Sequence, residues 1–140
     1  FTREIGLAEE EDDPASKLEH YRAGLKVYKG TYLPEINETW VILERERLQR
    51  LYLETLLKVA ELYQNSRQYD EALNYCKQTL KEDSCHEAAH RLAMCIYADM
   101  GSRAAVVRQY DECRRALRDE IEAEPSTRTQ ELYESLMKNQ

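Results

Sequence analysis

The amino-acid sequence predicts an all-α protein, an array of antiparallel helical hairpins wound into a right-handed α-α superhelix. Three observations predict it. Apolar residues recur at three- and four-residue spacing through most of the 140 residues, and no alternating strand pattern competes with them. Gly30, Pro34, Gly101 and Pro125 punctuate the ends of the periodic stretches. Finally, Ala60, Tyr63, Ala72 and Cys76 are answered 34 residues later by Met94, Tyr97, Val106 and Tyr110, and Arg67 in the first turn by Gly101 in the second.

A period of 34 with small or apolar residues at its eighth, eleventh, twentieth and twenty-fourth places is the tetratricopeptide pattern. Each unit is two short antiparallel helices whose apolar face only the next pair can cover. The elements follow in order. Phe1, Ile5 and Ala8 form the stripe of a short first helix that the acidic run after it ends. Asp13 is placed as an N-cap with Pro14 at the first helical position, and Leu18, Tyr21, Leu25 and Tyr28 give a second helix over 14–28. Lys29 to Glu38 is expected as a loop whose Tyr32, Leu33 and Ile36 pack down together with Trp40.

From Thr39 to about Asn65 a long helix carries Trp40, Leu43, Leu51, Tyr52, Leu56, Val59, Ala60 and Tyr63 along one side. Leu48, Leu53, Leu57 and Leu62 widen that surface enough for two neighbours. The next helix covers Tyr69 to Glu82 and faces Ala72, Leu73, Cys76 and Leu80 inward; another runs from about Ser84 to Met100, stopped by Gly101. Ser102 caps the helix bearing Val106, Tyr110, Cys113, Leu117 and Ile121. Pro125 breaks the chain, Ser126 or Thr127 caps again, and Leu132, Tyr133 and Leu136 give the last apolar face.

Composition narrows the functions. The net charge is −7, and six acidic residues against Arg3 in the first thirteen positions supply most of it, leaving −2 for the remainder. Binding nucleic acid by phosphate neutralisation needs a clustered positive face, and an acidic chain of pI about 5.1 has none in net terms. Arg103, Arg108, Arg114, Arg115 and Arg118 make one helix locally basic, but Asp111, Glu112, Asp119 and Glu120 interleave at neighbour spacing, the pattern of a salt-bridged solvent face. No stretch has the roughly 18 uninterrupted apolar residues of a membrane span, and the expected location is the cytoplasm.

Chemistry-bearing patterns are sparse. Cys76, Cys85, Cys95 and Cys113 lack a paired C-x-x-C spacing, and Cys76 and Cys113 fall on inward helix faces, so reduced, core-packed thiols are expected. His86 and His90, four apart beside Cys85, are the nearest thing to a ligand set, but His90 occupies the repeat's fourth place, ordinarily a packed aromatic. No phosphate loop or nucleophile elbow occurs, and neither a catalytic site nor a cofactor nor a metal is assigned.

The order of features is more specific than the repeat. Tyr28-Lys29-Gly30-Thr31-Tyr32-Leu33-Pro34, Trp40, Glu44-Arg45-Glu46-Arg47-Leu48, Leu51-Tyr52-Leu53 and Tyr69-Asp70-Glu71-Ala72-Leu73 resemble the bacterial transcriptional activator domain. So do Glu87-Ala88-Ala89-His90-Arg91-Leu92, Arg108-Gln109-Tyr110 and Glu124-Pro125-Ser126 with Leu132-Tyr133, and the resemblance extends from Phe1 to about Met137. It implies a single module, residues 1–140, from a longer regulator of the antibiotic regulatory (SARP) type, in which an OmpR-like winged helix precedes it and reads the DNA. Two departures concern turns: Glu122-Ala123-Glu124-Pro125 replaces a usual Leu-Gly-hydrophobic approach to the proline, and Ser84-Cys85 stands where Asp-Pro is common.

The function expected from this reading is a protein-interaction and dimerisation module of a bacterial transcriptional regulator, without catalysis, with RNA polymerase, another domain of the regulator or a second copy as partner. A free-standing peptide-binding scaffold of the co-chaperone kind is the alternative. The carboxylate clamp of that kind needs Lys and Asn where this chain has Leu57, Lys58, Glu61, Arg91, Leu92 and Cys95. The inner-helix places of the two repeats carry Glu54, Leu57, Glu61, Gln64, Arg91, Cys95 and Asp99, a polar and apolar mixture that suits a partner groove.

Overall fold

A computed structural model describes residues 2–10, 14–30 and 39–138, and these form seven α-helices without a strand. They are α1 Thr2–Glu10, α2 Pro14–Gly30, α3 Thr39–Asn65, α4 Tyr69–Glu82, α5 Glu87–Asp99, α6 Arg103–Ile121 and α7 Thr127–Lys138. Each packs on its successor, giving the hairpins α1–α2, α3–α4 and α5–α6 with α7 closing the far end. The odd-numbered helices also touch each other, α3 with α5 and α5 with α7, while among the described residues the even-numbered ones have no comparable pairing. The odd helices therefore line the inner side of the array.

The two repeats close their turns with the same backbone device. Arg67 (φ 61°) and Gly101 (φ 77°) each take the left-handed conformation just after a helix. In the first turn the Gln68 amide donates to the Tyr63 carbonyl at 2.9 Å, and 34 residues on the Ser102 amide donates to the Tyr97 carbonyl at 2.9 Å. The hydrogen bonds re-entering the next helix, Ala72 to Gln68 and Val106 to Ser102, match as well. A glycine adopts this conformation freely and an arginine does so at a cost. A third left-handed residue, Glu122 (φ 52°), ends α6 at the approach to Pro125.

Apolar side chains from successive hairpins make one continuous interior. Ile5 and Ala8 of α1, Tyr21 and Leu25 of α2, and Tyr52, Leu53, Leu56 and Val59 of α3 form one cluster; Ala60, Ala72, Leu73, Cys76, Ala93 and Ile96 form the next. Tyr63 and Tyr75, stacked with ring centroids 5.7 Å apart, border both. Ala60 and Ala72 are fully buried where α3 and α4 approach, which is why small residues stand at the eighth and twentieth places. At the far end Tyr110 of α6 stacks on Tyr133 of α7 at 4.0 Å, nearly parallel.

Several expectations need correction. Trp40 is not packed down: it is 63% exposed, as Leu43 is 58%, and Val41 is buried in their stead. The buried stripe of α3 runs through Val41, Tyr52, Leu56 and Val59, and Leu43 lies three turns before the exposed Glu54, on the same side of the helix and turned away from the core. The companions Tyr32, Leu33 and Ile36 lie outside the described residues. Ile121 is 60% exposed, since the left-handed Glu122 ends α6 just beyond it. Helix α2 continues to Gly30, and α5 begins at Glu87 because His86 Nδ1 accepts the Ala89 amide at 3.3 Å and acts as its N-cap. Between the two capping choices for α7, Ser126 is the residue used, its hydroxyl accepting the Thr129 amide at 3.4 Å.

Candidate protein-interaction face

The inner side is built from the exposed edges of α3, α5 and α7. On α3 the core is taken up by Tyr52, Leu53, Thr55, Leu56, Val59 and Ala60, so the residues between these, Glu54, Leu57, Glu61 and Gln64, are turned away from it. Glu54 and Glu61 are exposed, and Leu57 is half-buried against the Ala60–Ile96 cluster. On α5, Arg91 and Cys95 are half-buried and Asp99 is exposed. The structure thus brings the seven sequence-derived positions to neighbouring helices of one layer.

Polar ties run across that layer at each junction of odd helices. Lys58 of α3 pairs with Glu9 of α1, its ammonium also standing 5.7 Å from the Tyr21 ring centroid. Gln64 Nε2 of α3 donates to Asp99 Oδ2 of α5 at 2.9 Å. Arg91 Nη1 of α5 donates to the buried Thr129 Oγ1 of α7 at 3.0 Å. Thr129 in turn donates to Glu87 Oε1 at 2.8 Å, and the same carboxylate oxygen accepts the Ser126 amide at 2.8 Å. The start of α7 is therefore fastened to the start of α5 through one carboxylate.

These contacts shift the titration of their members. The Lys58 hydrogen bond, followed in weight by opposing burial, holds the Glu9 carboxyl below its ordinary value. Glu87 is also lowered: burial raises it, but the hydrogen bonds from Ser126 and Thr129 and the charge of Arg91 together prevail. Burial, then the nearby Glu9 carboxylate, pushes the Tyr21 phenol up to about 12. Burial pushes Cys76 and Cys113 up to about 12, so these thiols are protonated and poor nucleophiles at neutral pH. Cys95 rises too, from burial first and the Asp99 charge second.

The remaining candidates have structural occupations. His90 is buried between Gln109, whose amide nitrogen lies 2.8 Å from Nδ1, and the Ser84 carbonyl, 2.8 Å from Nε2. An amide nitrogen only donates, so Nδ1 accepts and the Nε2 proton goes to Ser84, which fixes a neutral tautomer; burial lowers its pKa accordingly. With His86 engaged as a cap, the two rings do different work, and no group of three ligating side chains converges among the described residues. On α6, Asp111 pairs with Arg114 at 3.7 Å and Arg115 at 3.0 Å, and Arg118 lies 3.7 Å from Asp119. That face is the solvated charge mosaic its sequence spacing describes.

Sequence reasoning gave none of Lys58, Glu87 and Thr129 its part in these ties: Lys58 entered only as a place of the missing carboxylate clamp and Glu87 only within a family-like block. Thr129 carried no signal, since a threonine between Arg128 and Gln130 near a helix start looks solvent-facing; Glu87 had only the weak one of an acidic residue in a first helical turn.

Stacked helical hairpins with a 34-residue period and an uncovered inner layer define a repeat scaffold of the tetratricopeptide kind. Within that class the chain belongs to the bacterial transcriptional activator domain family, whose model matches residues 2–137. It is a regulatory family. A 67-residue stretch is also 30% identical to the KIF-binding protein of Bos taurus, covering 48% of this chain and 11% of that protein's length. No helix among the described residues is long and apolar enough to cross a membrane.

Proposed function

We propose that this chain is the protein-contact module of a DNA-binding transcriptional regulator, and that it works by docking, without catalysis. The observation that carries the reading is the match to the activator-domain family over nearly the whole chain, joined to an inner helical layer that the array itself leaves uncovered. In this reading residues 1–140 are one domain, a winged helix elsewhere in the regulator reads the DNA, and the partner is RNA polymerase, another regulator domain or a second copy. The regulator would act in the cytoplasm. The co-chaperone alternative has less support, because the cations at the clamp places are engaged, Lys58 by Glu9 and Arg91 by Thr129, and Leu92 packs on the core.

The test is a full-length regulator carrying Glu54→Lys and Glu61→Lys, assayed in parallel for promoter binding and for activated transcription. Arg91 is left intact because it fastens α7. Reduced activation with unchanged promoter binding is the expected result. Unchanged activation would move the contact surface off the inner layer.

A further inference from the structure

The inner face carries an unbalanced charge. Of the two cations that α3 and α5 place on it, Lys58 is paired with Glu9, and Arg91 is tied to the Thr129 hydroxyl while its charge acts on Glu87. Glu54, Glu61 and Asp99 are in none of the ion pairs among the described residues, and Asp99 accepts the uncharged amide of Gln64. The face is therefore net negative although the helices around it are nearly balanced. Glu61 and Asp99 also act on groups at its edges. After burial, Glu61 is the next cause of the raised Cys76 thiol and Asp99 of the raised Cys95 thiol.

Geometry adds a spacing. Glu54 and Glu61 are seven residues apart on one side of α3, about 10 Å along its axis, with the half-buried Leu57 between them. A helical segment lying along α3 has the same rise, so two cationic side chains seven residues apart, about 10 Å, can each meet one carboxylate while an apolar residue three or four places after the first rests on Leu57. We infer that the inner face of α3 and α5 docks a basic segment of a partner protein, with two Lys or Arg residues flanking an apolar one. This rests on the reading of the chain as a docking module and names the chemistry of what docks. Complementary charge selects such a segment and rejects acidic ones, for which Glu54, Glu61 and Asp99 supply only repulsion.

The experiment is selection of a random dodecapeptide display library on residues 1–140, followed by titration of the enriched peptides, fluorescently labelled, against the wild type and the Glu54→Lys/Glu61→Lys double variant. Far-UV circular dichroism verifies that the variant, altered only at exposed positions, remains helical. Enriched peptides should carry at least two basic residues, bind about tenfold more weakly to the double variant, and weaken as salt is raised. Enrichment of neutral or acidic peptides, or of basic ones that bind the double variant equally well, would overturn the inference while leaving a docking module. No enrichment of any peptide would count against both.

Discussion

The matched turns of the two repeats give a test in which the chain is its own control. Arg67 and Gly101 occupy the same place, 34 residues apart, with the same left-handed backbone and the same closing hydrogen bonds. Left-handed backbone costs a residue with a Cβ about 1–2 kcal/mol, and a glycine almost nothing. Replacing Arg67 by glycine removes that cost but returns about 0.5–1 kcal/mol to the unfolded chain as conformational freedom. The arginine is exposed, so little packing is lost. Arg67→Gly should therefore stabilise by about 0.5–1 kcal/mol, a rise of roughly 1–4 °C in Tm for a chain of this size. Gly101→Ala should do the opposite by about 1 kcal/mol; an added Cβ meets nothing within 4 Å there, so only the backbone angle contributes. Urea melts followed by far-UV circular dichroism give both values, with Arg67→Ala separating the loss of the side chain from the change of backbone. A destabilised Arg67→Gly, or a stabilised Gly101→Ala, would refute the account of these turns.

Glu122→Gly should stabilise by about 1 kcal/mol in the same melts, since it relieves left-handed backbone and removes a carboxylate from the negative end of α6; Glu122→Gln should recover only the charge part. Glu87→Gln should cost about 1–2 kcal/mol at pH 7, the net worth of the charge-assisted bonds to Ser126 and Thr129 at a partly exposed site. The folded protein holds that carboxyl below the ordinary 4.5, so its contribution is complete above 4.5 and is lost as pH falls through the lowered value. Wild type and Glu87→Gln should thus converge in acid; a gap that persists there would mean that the glutamine acts through packing. Trp40→Ala should cost about 1–2 kcal/mol, not the 3–5 of a core tryptophan, given its 63% exposure, and a larger loss in the melts would show that its remaining buried edge matters more than its area.

What was legible in the sequence follows the reach of the signals. The 34-residue period sets helices, hairpins and their order because the stripe at Ala60, Ala72, Met94 and Val106 repeats locally in every unit. The Ser102 cap and the glycine stop at Gly101 are also local, and both hold. The phase of α3 before Leu48 was misread because apolar residues stand on several sides there, and its own sequence does not say which side is covered. The inner-layer positions were legible as places in a repeat. Their ties were not, because Lys58 with Glu9, Gln64 with Asp99 and Arg91 with Thr129 join residues 49, 35 and 38 apart whose meeting depends on how neighbouring helices lie.

Those ties put polar side chains where neighbouring odd helices meet. Hydrophobic packing holds each hairpin together and joins it to the next, yet on the inner face each junction between odd helices is spanned by a polar contact of definite reach. Shortening one such reach, as Gln64→Asn would by a methylene, draws α3 and α5 together or breaks their contact without touching a core residue. The width of the inner face can therefore drift among related chains while the interior stays the same. A change of partner in such a scaffold then needs only polar substitutions, which leave the folding of the hairpins almost undisturbed.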